Sequence, residues 1–140
     1  MKILLSVDGS DFTKRMLGYV AAHDEMFGAG HDYVALTVVG LVPPEFAEFA
    51  PGGGIEAHYR EKADAVLRPV QAFAAQNGWK LCASHAVGSP SEAVAAFVDK
   101  ERPDLIVMGS HGHTALGSLL LGSVATGVLA RCKAPVLIIR

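Results

Sequence analysis

Hydrophobic positions along this chain switch repeatedly between continuous β-compatible runs and helical spacing. Residues 2–7 form the first apolar run and end at Asp8-Gly9-Ser10, which is turn chemistry followed by a helix start. Ser10 is placed to cap that helix, in which Met16, Leu17, Val20 and Phe27 recur near helical spacing, and Gly28-Ala29-Gly30 stops it. Residues 33–39 form a second, β-branched run. A long helix then carries Ile55, Tyr59, Ala63, Val66, Val70, Phe73 and Ala74 on one broad face. Pro69 lies inside it, where a missing donor and a clash with the preceding turn predict a kink. Asn77-Gly78 ends the helix, and Lys80–Val87 is a third strand, less apolar and so nearer a sheet edge.

Ser89-Pro90-Ser91-Glu92 predicts a helix N-terminus with Ser89 as N-cap, Pro90 at the first helical position and Glu92 completing a capping box. That helix runs to about Glu101, and Pro103 forbids its continuation. Leu105-Ile106-Val107-Met108 fits a central parallel strand, a final helix carries Val124, Val128 and Leu129, and Val136–Ile139 is the last strand. Strands alternating with helices throughout predict an α/β domain: five parallel strands covered on both faces. With 140 residues and no linker or internal repeat, residues 1–140 read as one domain.

Composition agrees with a doubly covered sheet, since 51% of residues are hydrophobic and only 19% charged. A net charge of −2 without a run of Lys or Arg disfavours nucleic-acid binding, which needs many phosphate-neutralising cations. Cys82 and Cys132 are too far apart to form a metal-like pair and read as reduced thiols. The N-terminal apolar run is too short for a signal peptide, and no run reaches bilayer-spanning length, so the expected location is the cytoplasm, away from membranes.

Candidate chemistry concentrates at two strand ends. Ligands of open parallel sheets sit beyond the carboxyl ends of the strands, where the order reverses. Asp8-Gly9-Ser10 follows the first strand and Gly109-Ser110-His111-Gly112 the fourth. A flavodoxin-like order 2-1-3-4-5, or a relative with strands 1 and 4 adjacent, brings such ends together. In the pattern Gly109-x2-Gly112-x9-Gly122-Ser123, the first two glycines are expected to adopt backbone conformations barred to other residues and to expose N–H groups. Gly122-Ser123 opens the final helix, where free N–H groups and the helix dipole attract phosphate, and the Ser123 hydroxyl adds a donor. A lone Gly-x-x-Gly is weak, but a pattern joining a strand end to a helix start points to a nucleotide site.

The stretch GSHGHTALGSLLLGSVATGVLARCKAPVLIIR closely resembles the C-terminal signature of the universal stress protein family, whose ATP-binding subset carries G-x2-G-x9-G-[S/T]. KILLSVDGS resembles that family's first strand, and GSPSEAVAAFVDKERPDLIVMGS its third helix and fourth strand. The resemblance covers nearly the whole chain and is weakest between about Gly40 and Arg60. It implies a three-layer sandwich of the adenine nucleotide alpha-hydrolase type with strand order 3-2-1-4-5, and a homodimer formed through the last strands. It further implies that Asp8 sits beside the nucleotide, that the Val38 backbone meets the adenine, and that Met108 and Gly109 flank the ribose. Gly112, Gly122, Ser123 and Val124 are implied to hold the phosphates of ATP, ADP or AMP, with or without magnesium. Where the family more commonly shows arginine this chain has His113.

Each remaining residue has a plainer reading beside the functional one. Asp8 also suits a simple helix start. His111 and His113 add positive charge near phosphates at mildly acidic pH, or are solvated loop residues. His23, His31, His58 and His85 lack ligand spacing, and Glu45, Glu48 and Glu56 follow no metal motif, so no metal site is expected. Phe46 and Phe49 suit packing over a ligand, a dimer contact or the core equally, and the loop 40–54 is long enough to be a lid. Trp79 reads as structural.

The leading reading is a nucleotide-binding, stress-response regulatory protein with no catalytic residues assigned. There is no P-loop lysine, no Lys or Arg from Gly109 to Val124, and no Ser-His-Asp or Cys-His order. The alternatives are a slow ATP-hydrolysing or autophosphorylating enzyme of this fold, and a member acting through protein partners without nucleotide. A response-regulator receiver is excluded, because Ser84-His85-Ala86 ends the third strand where that fold needs an acid. A dinucleotide-binding domain needs a Gly-x-Gly-x-x-Gly after the first strand, and the turn there is Asp8-Gly9-Ser10-Asp11-Phe12-Thr13. The Ser10/Thr13 pair is likewise too weak a signal for a flavodoxin.

Overall fold

A computed structural model describes residues 1–49, 52, 54–113 and 120–140. In chain order the elements are β1 (Lys2–Ser6), α1 (Asp11–Ala22), α2 (Asp24–Phe27), β2 (Asp32–Val39), α3 (Pro44–Ala47) and α4 (Gly54–Gln76), followed by β3 (Lys80–Val87), α5 (Pro90–Glu101), β4 (Leu105–Gly109), α6 (Ser123–Arg131) and β5 (Val136–Ile139). The strands form one parallel sheet in the order β3-β2-β1-β4-β5. The 2-1-3-4-5 arrangement is thereby excluded, and β1 and β4 are neighbours.

The alternation of β1 shows why both faces are covered. Ile3, Leu5 and Val7 point into a core made with α1, α2 and α4 (Met16, Val20, Phe27, Ala63, Val70). Leu4 points the other way, into a core shared with Val94 and Val98 of α5 and Val128 of α6. Ile3, Leu4 and Leu5 are fully buried. The result is three layers, the arrangement that continuous apolar strands require. β3 lies at one edge, as its polarity predicts, and β5 at the other.

Local signals fared unevenly. The first helix breaks at His23, whose non-helical backbone (φ −115, ψ 57) separates α1 from α2, and Phe27 is buried from the short second piece. α4 is continuous through Pro69 and buries Leu67 on the face with Ala63, Val70 and Ala74. Ser10 and Ser89 occupy N-cap positions without a side-chain capping bond. The expected capping box does not form, and the Glu92 carboxylate stands 4.0 Å from Arg131. Leu129 is exposed, as are Phe46 and Phe49, which excludes these two aromatics from the core. Trp79 is buried against Tyr33, with ring centroids 4.9 Å apart. Burial pushes the Tyr33 hydroxyl up to about 12 while it donates to the Phe27 and Gly28 carbonyls.

Candidate functional site

β1 and β4 end side by side, with Ser6 opposite Met108, so the turn at Asp8 and the loop from Gly109 emerge together. Here the strand order reverses: β2 and β3 lie beyond β1 on one side, β5 beyond β4 on the other. A cavity of about 530 Å³ opens at this point. Its wall includes Asp8, Val38, Met108, Gly109, Gly112, Gly122, Ser123 and Val124, all eight residues singled out from the sequence. The other half of the lining comes from Ser6, Val7 and Thr13, from Pro90 and Val94 of α5, and from His111, His113 and Ala125. Of these, the sequence points to the histidines as phosphate neighbours and to Thr13 only through the weak Ser10/Thr13 pair. Pro90 and Val94 reach the cavity because α5 packs beside α6, a fact of strand order that their helical pattern does not contain.

Asp8 organises the turn. Its Oδ1 accepts from the Ser10 N–H at 2.9 Å and from the Thr13 hydroxyl at 2.9 Å, while its own N–H donates to Thr13 Oγ1 at 3.0 Å. The carboxylate thus braces the turn before α1 and ties it to the Thr13 side chain, without capping a backbone N–H of the helix itself. Ser10 Oγ, buried, is left without a hydrogen-bond partner. Asp8 Oδ2 lies over Gly112, where a Cβ would stand 2.5 Å from it.

The glycines serve a different purpose from the one the sequence suggests. Neither Gly109, Gly112 nor Gly122 has a positive φ. They are required by space instead: a Cβ on Gly109 would meet Phe12 Cβ at 2.7 Å, and one on Gly122 would meet His111 Cα at 3.0 Å and the Ser110 carbonyl at 3.2 Å. The Gly122 N–H already donates to the Ser110 carbonyl at 2.7 Å, so this residue contributes a bare Cα that brings α6 against the loop. The first-turn N–H groups of Ser123, Val124 and Ala125 have no i−4 carbonyl within α6, and all three residues face the cavity. They form an anion-attracting helix end. Residues 114–119 of the glycine-rich segment lie outside the described residues.

The Val38 backbone opens on the same space. Val7 N–H donates to the Leu36 carbonyl, so Leu36 turns its backbone groups toward β1. The two-residue period of a strand turns the N–H and C=O of Val38 the same way, beyond the last β1 residue in register. A donor and an acceptor therefore stand side by side at an open sheet end.

Among the described lining residues the titratable groups are Asp8, His111 and His113. His113 Nε2 bonds the Asp8 carbonyl at 2.6 Å, and His111 Nδ1 pairs with Ser110 Oγ at 2.9 Å. Phe12 packs on His111 with centroids 5.2 Å apart, and the Arg15 guanidinium lies 5.1 Å from the Phe12 centroid. That cation comes from α1, so a search for Lys and Arg confined to the loop misses it. A second cavity, about 370 Å³, lies between α1 and α4; it shares Thr13 but none of the eight predicted residues. Among the described residues no group of three or more His, Cys, Asp or Glu is placed to hold a metal, and no helix is long and apolar enough to cross a membrane.

The model of the universal stress protein family matches residues 1–140. The chain belongs to the universal stress protein family. A universal stress protein of Thermus aquaticus is 35% identical over 99% of this chain and 97% of its own length. The solved structure of MJ0577 from Methanocaldococcus jannaschii superposes with a TM-score of 0.77 at 26% identity, covering 99% of this chain and 94% of that one. A universal stress protein family member from Arabidopsis thaliana, solved with AMP bound, shares the fold at TM-score 0.72 and 18% identity, over 99% of this chain and 90% of its own.

Proposed function

We propose that this universal stress protein binds an adenine nucleotide (ATP, ADP or AMP, with or without magnesium) in the 530 Å³ cavity and acts by holding it rather than by turning it over. The observation that carries this reading is the convergence of three glycines, each kept bare by a close neighbour, on the exposed N-terminus of α6. A phosphate chain laid there meets N–H donors and a favourable dipole without a side chain in its way. The paired N–H and C=O of Val38 suit the N1 and N6 edge of adenine and not the reversed edge of guanine. Met108 and Gly109, between these two ends, are left for the ribose. The Arabidopsis relative's AMP supports the same ligand class.

Retention rather than turnover is the reading that charge supports, because phosphoryl transfer relies on cations placed around the transferring group, and the nearby Arg15 guanidinium packs on Phe12 instead. The described lining holds no Lys or Arg, and Asp8 already accepts two bonds within its own turn. A homodimer joined through β5 completes the proposal: four residues of largely apolar strand end the sheet there, an edge that pairing would cover.

Denaturing the purified protein is expected to release adenine nucleotide, identified by chromatography, and calorimetry is expected to show binding. Release of none together with no binding would favour a member that works through protein partners. Rapid ADP formation from magnesium ATP that disappears in Asp8→Ala would instead make the protein an enzyme.

A further inference from the structure

His113 touches the cavity from a position no motif assigns, and its hydrogen bond fixes its tautomer. The Asp8 carbonyl only accepts, so the nitrogen that meets it at 2.6 Å, Nε2, must carry the proton. In the neutral ring Nδ1 then bears a lone pair, which repels a phosphate oxygen. Protonation turns Nδ1 into a charged donor and leaves the Nε2 bond intact, so the ring need not move to change its sign toward an anion.

We propose that His113 makes phosphate retention in this cavity pH-dependent, with nucleotide held more tightly as the pH falls. The inference rests on the nucleotide-binding reading above and deepens it: an imidazole anchored by one nitrogen to the β1–α1 turn gates the anion with the other. The groups that face it are few. Asp8 comes from the turn it is bonded to and His111 from its own loop; α1 brings the Arg15 guanidinium onto Phe12, which packs on His111, while β2, α5 and α6 add no titratable side chain to the described wall. Asp8 Oδ1 is occupied by Ser10 and Thr13, Asp8 Oδ2 lies over Gly112, and His111 Nδ1 pairs with Ser110. His113 is held through Nε2 alone among the described residues, which leaves Nδ1 as the nitrogen that would meet the anion. Imidazole changes charge between about pH 5 and 8, the range in which such a gate would act in a cell.

The test is calorimetry of the full chain with ATP and with adenosine at about pH 8 and about pH 5.5, on wild type, His113→Gln, His113→Arg and His111→Gln. Glutamine keeps an N–H donor for the Asp8 carbonyl but never charges, and arginine is always charged. The terminal phosphate of ATP titrates in the same range, so the informative quantity is the ratio of wild-type to His113→Gln affinity. That ratio is expected to rise from about one at the higher pH to about tenfold at the lower, the size of one charge-assisted hydrogen bond. The ratio of His113→Arg to His113→Gln should not rise as the pH falls, and adenosine, lacking phosphate, should show no such change. A wild-type ratio that is flat with pH while ATP still binds would overturn the inference alone. So would pH dependence lost in His111→Gln and kept in His113→Gln, or one shared by adenosine. If neither wild type nor His113→Arg binds any adenine nucleotide at either pH, the functional reading falls and this inference with it.

Discussion

Two sets of glycines in this protein are kept for opposite reasons. At the carboxyl ends of β1 and β4, Gly109, Gly112 and Gly122 have backbone angles open to any residue but no room for a Cβ. At the turn before β3, Gly78 has φ +68 and nothing within 4 Å of where its Cβ would be. The first set marks surfaces pressed together around a cavity; the second marks a chain reversal. A sequence shows the letter G in both. The difference teaches that crowding around a glycine is better evidence of a built site than the glycine itself.

Substitution by alanine should separate the two sets. Gly109→Ala carries the largest expected effect, because its neighbours are the Cβ and backbone of Phe12 rather than a movable side-chain tip. Overpacking of this kind costs about 1–3 kcal/mol, read by urea denaturation, and adenine-nucleotide binding should be lost with it. At Gly112 the obstacle is the Asp8 carboxylate, so Gly112→Ala should weaken binding strongly and stability by about 1 kcal/mol. The penalty should shrink in an Asp8→Ala background, and a double-mutant cycle with no coupling would show that the two residues do not meet. Gly78→Ala should cost about 1 kcal/mol through left-handed backbone strain alone and leave nucleotide affinity unchanged. If Gly78→Ala impaired binding as much as Gly112→Ala, the distinction between the two sets would collapse.

The core supplies a smaller contrast, since Tyr33 sits far from the cavity wall and titrates for reasons of packing. Its folded pKa is raised to about 12, so the stability it contributes is complete below its unfolded value and is lost as pH climbs from about 10 toward 12. Tyr33→Phe should flatten that part of the alkaline denaturation profile without altering nucleotide binding.

Much of this was legible from residue order, and the exceptions have physical causes. Apolar runs such as Leu105-Ile106-Val107-Met108 announce a buried strand because both faces need covering. Strand order does not follow from such runs, since pairing is a property of crossovers; the 3-2-1-4-5 order came from family resemblance, and β1 beside β4 is what joins Asp8 to Gly112. Ser10 and Ser89 mark the helix starts correctly, and Pro90 follows Ser89 as expected, but neither serine makes the side-chain capping bond that its residue type suggests. Pro90, Val94 and Thr13 line the cavity through helix placement, which no local pattern states. The three glycines line the cavity, and it is crowding rather than a positive φ that keeps them bare.

The central claim is that the bare Cα of Gly122 holds α6 open to a phosphate chain. It is tested most directly by calorimetry with ATP, ADP, AMP and GTP on wild type and Gly122→Val, with thermal melts to show that both are folded. The β-branched side chain would press on His111 Cα and the Ser110 carbonyl and project where phosphate is expected. Wild type should bind adenine nucleotides in preference to GTP, and a folded Gly122→Val should bind none. Equal affinity in the two proteins would contradict the account.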